Sequence, residues 1–190
     1  MKEFIVKAPC ERMPANNGSY TIDKYFLNSP ELAVLKAQIM EKVHHFIYDF
    51  LDVEKKLDFQ MENSWINRHG PGDYSMSHFH GNSIVSGVYY VQIEENAGDI
   101  IFHKDNRHLN LFNPLIEVKF NYDTTLDQSK MNVYNTNNFG IQPLPGDLVL
   151  FPSHLAHSVD KNITNKTRYC IAFNVFPRGT SGVTINTLTL

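Results

Sequence analysis

The stretch Ser77-His78-Phe79-His80-Gly81-Asn82-Ser83-Ile84-Val85-Ser86-Gly87-Val88-Tyr89-Tyr90-Val91 decides the fold class of this 190-residue chain. Residues 84–93, IVSGVYYVQI, are rich in β-branched and aromatic side chains, which suit the pleated, half-buried surface of a strand. Similar runs lie on both sides. Residues 57–67 read as extended, and 99–103 follow a turn at Asn96-Ala97-Gly98. Residues 116–122 form another short run, and 148–151 follow the turn Pro145-Gly146-Asp147. Residues 156–159 and 168–176 flank the polar KNITNKT and are expected to form a hairpin. Many short strands separated by turns predict a sandwich or barrel rather than alternating βαβ units.

One segment breaks this pattern. Ser29 is a good N-cap and Pro30 suits the first helical position. Leu32, Leu35, Ile39, Val43, Phe46, Ile47 and Phe50 then recur at three- and four-residue steps, predicting an amphipathic helix over 29–51 with one apolar stripe. A single stripe needs one surface to cover it, so the helix should pack on the outside of one sheet. His44 and His45 inside it read as ordinary, partly exposed helix histidines. The expected organisation is a single domain over 1–190: an N-terminal extension and helix over 1–56, a β core over 57–176 and a tail over 177–190. The Asn-rich, aperiodic residues 121–138 read as a loop, either a lid over a site or a surface insertion.

Composition narrows the function classes. Hydrophobic residues make up 42% and charged residues 19%, with a net charge of −3, ordinary for a globular domain able to build a core. No basic block points to nucleic acid or a membrane surface. No segment nears the roughly 20 apolar residues of a membrane span. The two cysteines, Cys10 and Cys170, form no CxxC pattern, and a cytoplasmic protein is expected. The Asn-x-Ser/Thr triplets at Asn17, Asn162 and Asn165 read as chance in an Asn-rich chain.

The chemistry starts at His78 and His80. On a strand, residues i and i+2 share a face, so both imidazoles would project together. His157, far along the chain in SHLAHSV, offers a third. Two histidines from one strand and one from a distant strand make a three-sided metal face with positions left open for substrate and O2, as in non-haem iron oxygenases. An exposed HxH with no metal is the competing explanation of the motif alone. Eleven residues after His157, Arg168 opens RYCIAFNVF, sharing one strand face with Cys170, Ala172 and Asn174. An arginine inside a β core needs a counter-ion, because an unpaired buried charge is costly. Either a protein carboxylate or a dicarboxylate cosubstrate supplies it. Tyr90, in phase with Ser86 and Val88, either packs in the core or bonds that same carboxylate.

The order HFH, SGVYYV, AGDIIF, QPLPGDLVLFPSHLAHSV and RYCIAFNVF resembles the 2-oxoglutarate/Fe(II)-dependent dioxygenase superfamily. Within it, the chain looks like a branch of 2OG-Fe(II) oxygenases from marine bacteria and their phages. That branch carries a W-x-N strand (here Trp65-Ile66-Asn67), a Gly-Asp segment (Gly72-Asp73) and H-x-H followed by Ser-Gly-Val-Tyr-Tyr. The resemblance spans residues 64–176. It implies a mainly β double-stranded β-helix, a cupin-like jelly roll. It implies iron(II) on His78, His80 and His157, 2-oxoglutarate on Arg168 assisted by Tyr90, and O2 as the oxidant. The implied reaction couples oxidative decarboxylation of 2-oxoglutarate to oxidation, usually hydroxylation, of a small molecule or a side chain.

The chain departs from the superfamily at two positions. His80 stands where most members carry Asp or Glu, leaving the full charge of a divalent metal uncompensated. Cys170 stands where many relatives carry serine, and a thiol is the weaker donor. Alternatives therefore stay open: a cupin-like three-histidine dioxygenase that does not use 2-oxoglutarate, a metal-stabilised non-catalytic binding domain with His103 or His154 as fourth ligand, or a member that binds 2-oxoglutarate without turnover. A homo-oligomer is compatible with the sequence.

Overall fold

The computed structural model describes residues 1–12, 17–103, 138–182 and 184–190. Its frame is two antiparallel sheets. The larger one orders β1 (Cys10–Arg12), β2 (Ser19–Thr21), β3 (Asp58–His69), β10 (Arg168–Arg178), β5 (Val85–Gln92) and β8 (Leu148–Pro152). The smaller one orders β4 (Ser75–His78), β9 (His157–Val159), β6 (Ile100–His103) and β7 (Asn138–Ile141). A short ribbon of β11 (Thr180–Ser181) and β12 (Leu188–Thr189) ends the chain. From β3 to β6 and again from β7 to β10, successive strands alternate between the two sheets, which makes the jelly roll expected from the sequence.

That alternation corrects one expectation. Residues 156–159 and 168–176 do not form a hairpin, because β9 pairs with β4 and β6 while β10 pairs with β3 and β5. The connection crosses between sheets and is held by Asn162. Its buried amide donates to the carbonyls of His69 (3.1 Å) and Lys166 (2.8 Å), and its oxygen accepts from the Thr164 N–H and hydroxyl. A wholly buried Asn162 cannot carry a glycan, in keeping with a chance triplet.

The N-terminal residues do more than precede the core. β1 and β2 extend the larger sheet beyond β3, short strands that the sequence did not announce. The helix is α2 (Ala33–His44), entered through a 3₁₀ turn at Pro30–Leu32 and continued by a π-helical turn at His45–Phe50. The Ser29 side chain makes no capping bond, contrary to expectation, because the first turn is 3₁₀ rather than α. Leu32, Leu35, Ile39, Val43 and Ile47 are buried. They pack with Ile66, Ile171, Phe173 and Val175 on the outer face of the larger sheet, joined by Ile5 of α1 (Lys2–Val6). The stripe ends at Ile47. The wider π turn carries Phe50 out of phase, and it is 74% exposed. No helix among the described residues is long and apolar enough to cross a membrane. The expected strand at 116–122 and nearly all of the loop at 121–138 lie outside the described residues; Asn138 begins β7.

β10 divides the molecule. Ile171, Phe173 and Val175 face the helix layer, while Cys170 and Ala172 face the smaller sheet with Val88, Tyr90, Ile100, Phe102 and Phe151.

Candidate metal centre and cosubstrate cavity

Between the two sheets lies a cavity of about 360 Å³. Its wall includes His78, His80, His157, Arg168 and Tyr90, so all five residues singled out in the sequence meet in one space.

The three histidines arrive by different routes. His78 ends β4 and is directly opposite His157 on β9, so the cross-strand pair brings their rings to 4.3 Å between centroids. His80 lies beyond the end of β4. The i, i+2 alternation of a strand is therefore not what aims it, contrary to the sequence argument. Its backbone N–H instead donates to the Ser153 carbonyl at 2.9 Å, pinning the β4–β5 connection against the end of β8. Its ring then stands 5.2 Å from His78 and 5.1 Å from His157. One nitrogen from each imidazole lies within 4.8 Å of the other two. His103 and His154 do not join this group among the described residues. His103 is engaged elsewhere, with Ser158 Oγ at 2.8 Å and Asn138 Oδ1 at 3.0 Å.

Two of the rings have their tautomer fixed. His78 Nδ1 faces the Met76 carbonyl at 2.8 Å, and His157 Nδ1 faces the Leu155 carbonyl at 3.0 Å. A carbonyl only accepts, so Nδ1 carries the proton in both, leaving Nε2 as a lone-pair donor for a metal. Burial pushes His80 down to about 4, helped by the neighbouring His157 and His78. Burial likewise pushes His157 down to about 4, against the opposing bond to Leu155. Both therefore stand neutral at pH 7, the form that ligates metal.

Arg168 enters from the start of β10 and is 2% exposed. Its Nη1 donates to the Gly98 carbonyl at 2.7 Å. Gly98 has φ +100°, and a Cβ there would meet the Asp160 carbonyl oxygen at 2.2 Å, so the carbonyl is presented at a turn that only glycine fits. Among the described residues no carboxylate oxygen lies within 4.0 Å of the guanidinium, although Asp99 is near enough to feel its charge. Among the described residues Arg168 Nε has no hydrogen-bond partner, and neither does the Tyr90 hydroxyl, 1% exposed beside it. The guanidinium carbon is 5.8 Å from the centre of the Tyr90 ring. Burial pushes the Tyr90 phenol above its ordinary range, so it is a donor and not an anion. Two buried donors without acceptors are rare in folded proteins and mark a place for a ligand. A carboxylate supplies what both lack.

Two neighbours of this end escaped the sequence argument. Ser75 on β4 lines the cavity, and His69 at the end of β3 backs it, Nε2 to Oγ at 3.1 Å. His69 lay two residues past the expected end of its strand at Asn67. A lone histidine followed six residues later by a serine carries no recognisable spacing.

Three clustered imidazoles, one buried and two half-buried, stand in a jelly roll beside an arginine with no carboxylate partner among the described residues, a set suited to a non-haem metal centre. Solved structures share the fold. This chain is similar to an oxidoreductase of the 2OG-Fe(II) oxygenase family from Burkholderia pseudomallei, at 12% identity over 91% of this chain and 74% of that one, with a TM-score of 0.60. It is similar to a Pseudomonas putida prolyl-4-hydroxylase at 15% identity over 87% and 77%, TM-score 0.53. It is also similar to HygX from Streptomyces hygroscopicus, solved with nickel and 2-oxoglutarate bound, at 10% identity over 92% and 75%, TM-score 0.56. At such identities these likenesses establish the fold. No curated protein matches the sequence. A family model does: residues 63–174 match the family described as "Putative 2OG-Fe(II) oxygenase". The chain belongs to that family of iron(II)- and 2-oxoglutarate-dependent oxidoreductases.

Proposed function

We propose that this oxygenase holds iron(II) on His78, His80 and His157, binds the distal carboxylate of 2-oxoglutarate on Arg168 and Tyr90, and hydroxylates a small molecule or a side chain. The observation that carries the proposal is the pairing, in one cavity, of three clustered imidazoles with two buried donors lacking acceptors.

When bound, iron(II) with 2-oxoglutarate and O2 supplies the oxidising power, converting 2-oxoglutarate to succinate and CO2 as a substrate C–H bond is oxidised. The chain's own work is arrangement. Neutral imidazoles suit iron, nickel, copper and zinc alike, so the donor set is compatible with iron without a carboxylate ligand. The Met76 and Leu155 carbonyls hold two of the rings in the ligating tautomer. Arg168 offers a planar fork that matches a carboxylate, and Gly98 takes up one of its arms so the rest is aimed. Val88, Ile100 and Ala172 line the cavity with apolar surface. The unpaired guanidinium favours 2-oxoglutarate use over the cupin-like alternative, which gives Arg168 no task. The two thiols, both unpaired, are in keeping with a cytoplasmic enzyme; cell fractionation checks that placement.

The test is metal analysis of the His78→Ala, His80→Ala and His157→Ala proteins after reconstitution with iron(II). Each is expected to lose bound metal while keeping the wild-type circular-dichroism spectrum. Full occupancy in the folded His80→Ala and His157→Ala proteins would remove the three-histidine assignment.

A further inference from the structure

Arg168 and Tyr90 are two side chains that can donate to a carboxylate, and even with the guanidinium fork counted as two N–H groups they leave room for another donor, because a carboxylate accepts about four hydrogen bonds. Cys170, two residues along β10 from Arg168, lines the same cavity, and a thiol is a weak donor. Across the cavity, β4 and β9 put Ser75 opposite Val159, and β9 and β6 put Val159 opposite Ile100, two residues beyond the Gly98 carbonyl that holds Arg168. Ser75 is 7% exposed and lines the same cavity as Arg168 and Tyr90. From behind, His69 pairs with Arg168 in the β3–β10 register and reaches Ser75 Oγ with Nε2 at 3.1 Å.

We propose that Ser75 is a third donor to the distal carboxylate of 2-oxoglutarate and that His69 positions its hydroxyl for that bond. The inference rests on the cosubstrate assignment made above. It assigns work to a dyad that the three-histidine site and Arg168 do not use.

The proton count decides which way the dyad points. His69 is 1% exposed, and its Nδ1 has no partner among the described residues. Burial, with the Arg168 charge beside it, pushes the imidazole down to about 3, so it is neutral and carries one N–H. If that proton sat on Nδ1, a buried N–H would be orphaned, and Ser75 would spend its own proton on Nε2. If it sits on Nε2, the ring donates to Ser75 Oγ and Nδ1 keeps only a lone pair. Orphaned buried N–H groups are the rarer case. A lone pair also sits well near a guanidinium. The Nε2–H form therefore wins, and it leaves the Ser75 hydroxyl proton free to point into the cavity. His69 has no room to swing away: a Cβ on Gly18 would lie 2.6 Å from its Cδ2. The nearby Asp73 is already engaged by the Gly70 N–H and by Arg12, at 2.8 and 3.5 Å.

The test compares two 2-oxo acids. 2-Oxobutyrate has the same 2-oxo carboxylate as 2-oxoglutarate and lacks the distal carboxylate. Each is titrated anaerobically into the iron(II) protein and followed by the visible chelate band, for wild type, Ser75→Ala, Ser75→Thr and His69→Leu. Ser75→Ala, a small change unlike the His69 variant, should keep its fold. Loss of a hydrogen bond to a charged group is expected to weaken 2-oxoglutarate binding about tenfold to a hundredfold in Ser75→Ala. 2-Oxobutyrate binding should stay as in wild type, and Ser75→Thr should restore 2-oxoglutarate. His69→Leu should show the same selectivity, with a smaller loss. Equal weakening for both acids, or none for either, overturns the proposal. A wild-type protein that binds neither acid overturns the cosubstrate assignment and this inference together.

Discussion

The two faces of β10 are built to opposite rules. On one, Ile171, Phe173 and Val175 lie against the helix at 0–1% exposure, and every one is apolar. On the other, Arg168, Cys170, Ala172 and Asn174 line a cavity, and donors next to Tyr90 remain without acceptors. The first face contributes stability through close packing. The second face gives some up, since an unsatisfied buried polar group costs roughly 1–3 kcal/mol. That difference separates what holds this protein together from what it does, on alternate residues of one strand.

The sharpest way to break the comparison is to damage the packed face alone. Phe173→Ala is expected to cost about 3–5 kcal/mol of folding stability in urea denaturation, as for other buried aromatic truncations. Whatever protein remains folded should bind metal as wild type does. Equal loss of metal affinity per folded molecule would show that the two faces are not separable.

A smaller effect is expected at Gly87, which faces the same layer. A Cβ there would meet the Phe173 ring at 2.2 Å and Leu150 at 2.8 Å. Gly87→Ala overpacks this contact and should cost about 1–3 kcal/mol by the same denaturation assay. A neutral result would mean that the Phe173 ring moves aside freely.

Titration sharpens the contrast further. His80 and His157 stand at about 4 and His69 at about 3, all below the ordinary 6.5 for histidine. Between those values and 6.5 the unfolded chain binds more protons than the folded one, so stability rises with pH across this window. Thermal melts of the metal-free protein should hold steady above pH 6.5 and fall as the pH drops from 6.5 toward 4. The effect belongs to the cavity face, because Ile171, Phe173 and Val175 on the packed face of β10 carry no proton to gain or lose. Melts that improve on acidification would contradict the burial of these rings.

Much of this was legible in the sequence, for physical reasons that also explain the rest. A sandwich or barrel followed from short β-branched strands between turns, and the family resemblance narrowed it to a jelly roll. The helix followed from the Leu32 to Ile47 stripe, because burial on one face imposes a period. Parity placed Arg168, Cys170, Ala172 and Asn174 together. The 156–159 and 168–176 pairing went astray because a polar seven-residue connector looks the same whether it closes a hairpin or crosses between sheets. β1, β2 and β7 were missed, being three- and four-residue strands set by partners rather than by their own pattern. His80 joined its partners through a backbone bond to Ser153, which no side-chain pattern encodes. His69 and Ser75 met only through the β4 fold-back.

The central claim, that the unpaired guanidinium on the open face of β10 exists for a dicarboxylate, has one direct measurement. Iron(II) and 2-oxoglutarate are combined anaerobically with wild type, Arg168→Ala and Arg168→Lys, and affinity is read from the chelate band. Wild type should bind, and Arg168→Ala should lose about 2–5 kcal/mol of binding, the range for a buried charge left without its partner. Arg168→Lys should recover part of the loss, keeping the charge but not the fork, and iron binding should be unchanged in all three. Unchanged 2-oxoglutarate affinity in Arg168→Ala would contradict the account.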